Sequence, residues 1–391
     1  MKLTLLLITL LFSHLVHAKI LAEEIIPLST GYIQEQVPKL TAKSYVLYDY
    51  TSSQVLLGQN GHQRIEPASL TKLMTAYVVF SALKQNKLTL DKKVYPSALA
   101  LQIQRNEAHM YLEHIKSVTI EELLRGLIVT SASDASRVLA ETVAGSDAAF
   151  AELMNKEAQR LGMVDTHFVN STGLPNELHY SSAYDLTLLA AAILHDFPQQ
   201  LPLYSQRDFT YNHIKHYNSN RLLWMDPYVD GIKSGHTEST GYCLLATASR
   251  DNHRLISAVL GSATDNLRNS ESQRLLNFGY QNFDILYLYG KNEPMHNIRL
   301  WKGTEKTVKV GLRNGLTLTL PKGQRSQLKA SIETQQPLLA PISDGQQIGI
   351  IKLTLDSKPF LEYPLVALDP VPLVNIFSRG LDSIHMLLEG Q

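Results

Sequence analysis

The sequence predicts an α+β fold: a helix-and-sheet domain, a small all-β domain, and an amphipathic helix at the end. Three observations carry that reading. The chain has 391 residues, too many for one ordinary hydrophobic core and suited to one larger and one smaller domain. Apolar residues recur at helical spacing through much of the first half and at strand spacing from Tyr228 onward. After Pro370 and Pro372 the helical spacing returns, with apolar residues gathered on one side.

The elements follow in order. Residues 1–18 carry Lys2, an apolar run from Leu3 to Phe12, and Ala18 just before Lys19, the pattern of a secretory signal peptide cut after Ala18. The run is short for a bilayer span. Exported chains tend to form disulfides, yet Cys243 is the single cysteine, so burial must stabilise the fold. Within GYCLLATAS, Cys243 reads as a small buried apolar side chain. Residues 43–57 read as extended. A helix then opens in EPASLTKLMTAYVVF, with Pro67 ahead of it and Leu70, Leu73, Met74, Tyr77 and Phe80 as its inward stripe. In TIEELLRGLIVT, Thr119 and Glu122 form a capping box before Ile120, Leu123, Leu124, Leu127 and Ile128. Residues 131–134 read as a turn between two packed helices, and a further helix runs from Asp147 to Leu161, stopped by Gly162. YVDGIKSGHT, GYCLLATAS and HRLISAVLGS read as strands, the last two joined by RDN as a hairpin turn.

This first domain is expected to span 19–283. From 284 to 369 the pattern is all β, with no cluster of reactive side chains. TVKVGLRNGLTLTLP alternates on both sides of Asn314-Gly315 and predicts a hairpin there; IGIIKLTLDSKPFLEYPLV predicts a second. Residues 370–391 place Leu373, Val374, Ile376, Phe377, Leu381, Ile384, Leu387 and Leu388 on one helical face. Such a helix can dock on its own domain, pair with another chain, or lie in a membrane interface. Arg379 is its only fixed cation, so contact with a membrane surface would rest on the apolar face.

Composition excludes some functions. Lys+Arg and Asp+Glu are 36 each, so nothing draws the chain to nucleic acid over a distance. His213 and His216 are close in sequence but have no third ligand in view; they read as surface residues, and no metal or organic cofactor is expected.

Ser69 and Lys72 stand three apart at a helix start, where i and i+3 share a face and free amides favour charge on oxygen. The spacing alone proves nothing, since it recurs at Ser81/Lys84 and Ser326/Lys329. Order is more specific. SLTK is followed by SAS at 131–133 and by KSG at 233–235 leading a strand, which is the three-part signature of penicillin-binding proteins and class A β-lactamases.

On these motifs, and on LRGLIVTSASDAS, YVDGIKSGHTESTGY, RLISAVLG, LTLTLPKGQRSQLKAS and PLLAPISDGQQIGIIKLTLD, the chain resembles the D-alanyl-D-alanine carboxypeptidases of low molecular mass. The resemblance runs nearly the whole mature length. It implies a β-lactamase/transpeptidase-like first domain, a periplasmic enzyme held at the inner membrane by its last helix, peptidoglycan stem peptides as substrate, and β-lactam antibiotics as covalent inhibitors. It implies Ser69 as nucleophile, Lys72 as its base once burial or a nearby positive charge, for which Lys233 is the obvious supplier, makes it neutral, and Ser131 with Lys233 passing a proton to the leaving D-alanine. Ser69 and His236 would give the oxyanion-hole amides. Ser133, Ser234, Gly235, Thr237 and Arg268 would bind substrate, Arg268 through the terminal carboxylate.

Two departures stand out. Ser133 occupies the place of the family's asparagine, whose amide donates, accepts and reaches further than a hydroxyl. That leaves a stem-peptide-binding protein with weak or no catalysis as an alternative. Ser234 replaces threonine but keeps the hydroxyl. A β-lactamase is a further alternative, against which Glu177 in LPNELHYSS lacks the lactamase arrangement and the β domain and last helix fit poorly.

Overall fold

A computed structural model describes residues 36–104 and 107–389. The signal peptide expected at 1–18 lies outside the described residues. Residues 44–59 fold back as β1 (Ser44–Asp49) and β2 (Gln54–Gln59). They join β3 (Val229–Thr237), β4 (Gly241–Arg250) and β5 (His253–Ser262) in an antiparallel sheet of order β2-β1-β5-β4-β3. Asp251 and Asn252, both at positive φ, make the two-residue turn from β4 to β5 that RDN suggested.

Every residue of β1 is buried, and strand side chains alternate, so both faces of the sheet must be covered. Helices α5 (Ala183–Asp196) and α6 (Asp265–Asn282) both pack on β5. Around them lie α1 (Lys72–Lys84), α2 (Ile120–Arg125), α3 (Ser133–Ala144) and α4 (Asp147–Arg160). The stripe expected on α1 is wider than the sequence suggested: Thr75, Ala76, Val78 and Val79 are buried as well. A helix apolar on all sides belongs inside, and α1 packs against α3, α4 and α5.

The capping box on α2 is present, with Glu122 N donating to Thr119 Oγ1 and Thr119 N to Glu122 Oε2. After α2 the chain widens into a single π-helical turn, Gly126–Thr130, and Ser131 follows at φ 63°. The expected turn at 131–134 shrinks to Ser131 and Ala132, because α3 already begins at Ser133. Asp134 in the first turn of α3 suits the helix's positive end.

Contacts divide the chain between Ile285 and Leu286. Strand β6 (Phe283–Tyr289), which begins just ahead of that point, pairs with β9 (Leu316–Pro321). Strands β7 (Pro294–Arg299), β8 (Thr307–Gly311), β10 (Leu328–Thr334), β11 (Gln347–Leu355) and β12 (Lys358–Ala367) form a sheet of order β7-β8-β12-β11-β10. Its core includes the fully buried Val310, Leu318, Ile351 and Leu365. The hairpin expected at Asn314-Gly315 is a correction. Gly315 does reverse the chain at φ 71°, but β8 and β9 on its two sides belong to different sheets. The second hairpin forms between β11 and β12, turning at Asp356 and Ser357.

The last helix, α7 (Ile376–Glu389), is present, and Asp382 on it accepts a hydrogen bond from Lys302 N at 2.6 Å within the same unit. Ile376 and Leu381 are exposed. Among the described residues no helix is long and apolar enough to cross a membrane.

Candidate active site

Ser69 lies in a 3-10 turn, Ala68–Thr71, that runs directly into α1. Ala68 takes φ 50°, a strained conformation for a residue with a Cβ and one found mostly at functional sites. The turn brings the i and i+3 side chains together: Lys72 Nζ donates to Ser69 Oγ at 3.2 Å and to Thr172 O at 2.8 Å. Lys72 is buried, and burial lowers its ammonium pKa to about 7; Glu107 and Asp134 push back against that drop. The Arg137 cation lowers it further, so Lys72 can lose its proton near neutral pH.

Lys233 on β3 is also buried and donates from Nζ to Ser234 O at 2.9 Å. Burial first, then repulsion from Lys72 and Arg268, hold its pKa well below the usual lysine value. Of the two causes expected for a depressed Lys72, burial comes first: the lysines lie within electrostatic range, but desolvation is the main cause for each.

Ser131 ends the π turn in left-handed conformation. Its Oγ is buried and has no hydrogen-bond partner among the described residues. Ser133 is buried at the start of α3, its N donating to Ala108 O at 2.7 Å. Next to it, the Asp134 carboxylate accepts from Met110 N and Leu112 N, which ties the 110–112 segment to the middle motif.

On β3, the edge strand, Ser234 Oγ donates to Ser219 Oγ at 2.7 Å. A Cβ on Gly235 would stand 3.3 Å from Ala68 Cβ, Leu70 N and Pro67 O. Glycine there lets the strand lie flat against the nucleophile turn. His236 is exposed with its ring 4.1 Å from that of Tyr242. Thr237 Oγ1 accepts from Thr240 N at 3.1 Å. Arg268 on α6 is buried. Its Nη1 donates to Gly235 O at 3.1 Å and Cys243 O at 3.4 Å, and its Nη2 donates to Ser219 O at 3.3 Å and pairs with Asp265. Its fork thus grips main-chain carbonyls behind β3. His216 is buried too, stacked on Phe209 with ring centroids 5.3 Å apart, which corrects its reading as a surface residue; His213 is exposed.

Residues 32–264 match the D-alanyl-D-alanine carboxypeptidase family, and residues 283–372 match the C-terminal domain of penicillin-binding protein 5. The chain belongs to the D-alanyl-D-alanine carboxypeptidase family. It is 36% identical to D-alanyl-D-alanine carboxypeptidase DacC of Escherichia coli over 91% of this chain and 92% of that one. The solved structure of penicillin-binding protein 5 from Haemophilus influenzae superposes with a TM-score of 0.83 at 39% identity, covering 86% of this chain and 98% of that one. Penicillin-binding protein D2 of Listeria monocytogenes, solved with ampicillin bound, superposes with a TM-score of 0.57 at 30% identity, covering 62% of this chain and 98% of that one. The chain is accordingly a serine-type hydrolase with a penicillin-binding protein fold.

In this family member the Ser69 turn rests on a loop that sequence reading passed over. Gly173 takes φ 85°, and a Cβ there would fall 1.9 Å from Ala68 O. Asn170 Oδ1 accepts from the backbone N–H groups of Thr172, Gly173 and Leu174, which fixes Thr172 O under Lys72. Thr75 Oγ1 and Ser136 Oγ each donate to Ser171 O at 2.7 Å, tying the loop to α1 and α3. His179 completes the support. Its Nδ1 accepts from Val169 N at 3.1 Å, which assigns the proton to Nε2, 2.8 Å from Thr71 Oγ1. Burial lowers its pKa to about 4, so it is neutral at pH 7. The Asn-Ser-Thr-Gly run is a turn signal that sequence alone could have flagged. Nothing local ties His179 to Thr71, 108 positions earlier.

Proposed function

We propose that this chain removes the terminal D-alanine from peptidoglycan stem pentapeptides through an acyl-enzyme on Ser69. Lys72, as a neutral amine, takes the Ser69 proton as Oγ attacks the carbonyl between the last two D-alanines. The oxyanion is met by the backbone amides of Ser69 and His236. The tetrahedral adduct collapses with loss of the C–N bond, and Ser131, with Lys233, delivers a proton to the departing D-alanine nitrogen. Water then cleaves the ester and restores the serine. Ser133 and Gly235 line the peptide's path, and Ser234 and Thr237 meet the terminal carboxylate. Arg268 contributes its charge from behind Gly235, with its Nη1 and Nη2 groups already on backbone carbonyls.

The observation that carries this reading is Lys72 Nζ at 3.2 Å from Ser69 Oγ with its pKa lowered to about 7. The ampicillin-bound relative supports inhibition of this chain by β-lactams through the same serine. The test is mass spectrometry of the chain after treatment with labelled penicillin, paired with D-alanine release from a pentapeptide. An adduct on Ser69 and released D-alanine are expected. An adduct elsewhere removes the mechanism, and an adduct without release leaves the non-catalytic binding alternative.

The same reading places the mature chain in the periplasm, exported by residues 1–18 and attached to the inner membrane by α7. Deleting residues 373–391 should release it from sedimenting membranes. Unchanged pelleting would end the anchor role.

A further inference from the structure

Beside the catalytic strand lies a cavity of about 860 Å³, in the size range of small-molecule sites. Its floor is aromatic and apolar: Tyr217 is 62% exposed, Trp224 46% and Met225 50%. Arg207 covers one face of the Trp224 ring at 5.8 Å, yet nearly half of the side chain stays open to solvent. Exposed apolar groups clustered beside polar ones mark a binding surface. The polar lining here is made of amides and a hydroxyl: exposed Asn266, part-buried Ser270, and the buried Asn218 and Asn269. Its one charged lining residue, Arg221, is paired at 3.4 Å with Asp265, which Arg268 shares.

The cavity shares a wall with the active site. Asn218 precedes Ser219, whose hydroxyl meets Ser234 and whose carbonyl meets Arg268. Leu267 and Asn269, also in the lining, flank Arg268 on α6. The Asn269 carbonyl oxygen is buried with no partner among the described residues.

We propose that this cavity is a saccharide subsite that takes an N-acetylhexosamine unit of the glycan strand. A pyranose ring has an apolar C–H face suited to Trp224 and Tyr217. Around its edge it carries hydroxyl and acetamido groups that donate and accept, as side-chain amides do. The inference rests on the peptidoglycan reading above and extends it from the stem peptide to the sugar.

The only tryptophans are Trp224 and Trp301, and Trp301 is 8% exposed in the second unit. A Trp301→Phe variant of the full chain therefore reports on Trp224 alone. Titration with the tetramer of β-1,4-linked N-acetylglucosamine should change its emission saturably, whereas maltotetraose, which lacks acetamido groups, should not. Separately, kcat/KM is measured on a disaccharide pentapeptide and on the free pentapeptide. In Trp224→Ala the ratio of the two should fall about three- to tenfold, the scale of one lost aromatic contact. Asn266→Ala, at an exposed position whose loss cannot unfold the chain, should lower it in the same direction. Both results are required. Equal responses to the two sugars, a response only to the sugar-free peptide, or unchanged ratios in both variants would each overturn the proposal. Should the wild-type chain release no D-alanine from either substrate, the functional reading fails by itself, and the emission titration alone decides the subsite.

Discussion

Up to Ile285 the protein buries Asp49, Lys72, Asp134, Asp185, Asp226, Lys233, Arg268 and Glu271, whereas the described residues beyond it bury only Thr319 and Gln324 among polar side chains. Most buried charges in the first unit are matched. Asp49 meets His253 at 2.7 Å, Asp226 meets Arg250 at 3.0 Å, and Asp134 takes backbone amides. Lys72 and Lys233 differ: among the described residues neither has an ion pair, only a hydroxyl and carbonyls. A buried ammonium without a counter-ion is driven toward its neutral form, which lowers the pKa of both lysines, that of Lys72 to about 7. The β unit holds nothing comparable, so its substitutions should act on folding and those at the lysines on chemistry.

The sharpest way to break that contrast is Lys72→Arg. Arginine keeps the cation but cannot act as a base, and acylation by penicillin should slow by about a hundredfold to ten-thousandfold. A rate within tenfold of wild type, measured by stopped-flow, would mean that Lys72 is not the base. On the other side, Ile351→Ala in the β core, where Ile351 is fully buried, should destabilise that unit by about 2–5 kcal/mol in denaturant melts. D-alanine release by the folded protein should stay within about twofold. A large loss of turnover would show that the two units are not energetically separate.

A smaller effect is expected from pH. Because the neutral amine is the reactive form and Lys72 titrates at about 7, acylation should fall as pH drops below that value, by about tenfold per unit. A flat profile between pH 5 and 8 would place the controlling proton elsewhere. The smallest effect belongs to Thr119→Ala, which removes half of the capping box and should cost about 1 kcal/mol with no change in pH profile.

How much of this was legible beforehand depended on the range of the cause. The capping box, the Asp251-Asn252 turn and the Ser69/Lys72 pair are set by residues within four positions of each other, and the sequence displayed them. The Asn314-Gly315 turn was seen, but its partner strands were not, because turn chemistry fixes where a chain reverses and not which strand it then meets. His216 looked like a surface residue because one histidine near a turn carries no sign of Phe209 stacking on it. The Asn170–Gly173 loop under the nucleophile and the Arg268 grip on Gly235 depend on approaches across a hundred and thirty-three positions respectively, beyond any local pattern.

Gly173 and Gly235 each bring bare main chain against the turn that carries Ser69. The backbone of that turn is therefore seated on peptide planes, which yield less than side chains do. A methyl group at Gly173 would run into Ala68 O and force the turn to shift, so attempts to retune selectivity have more room along the outer walls of the cleft.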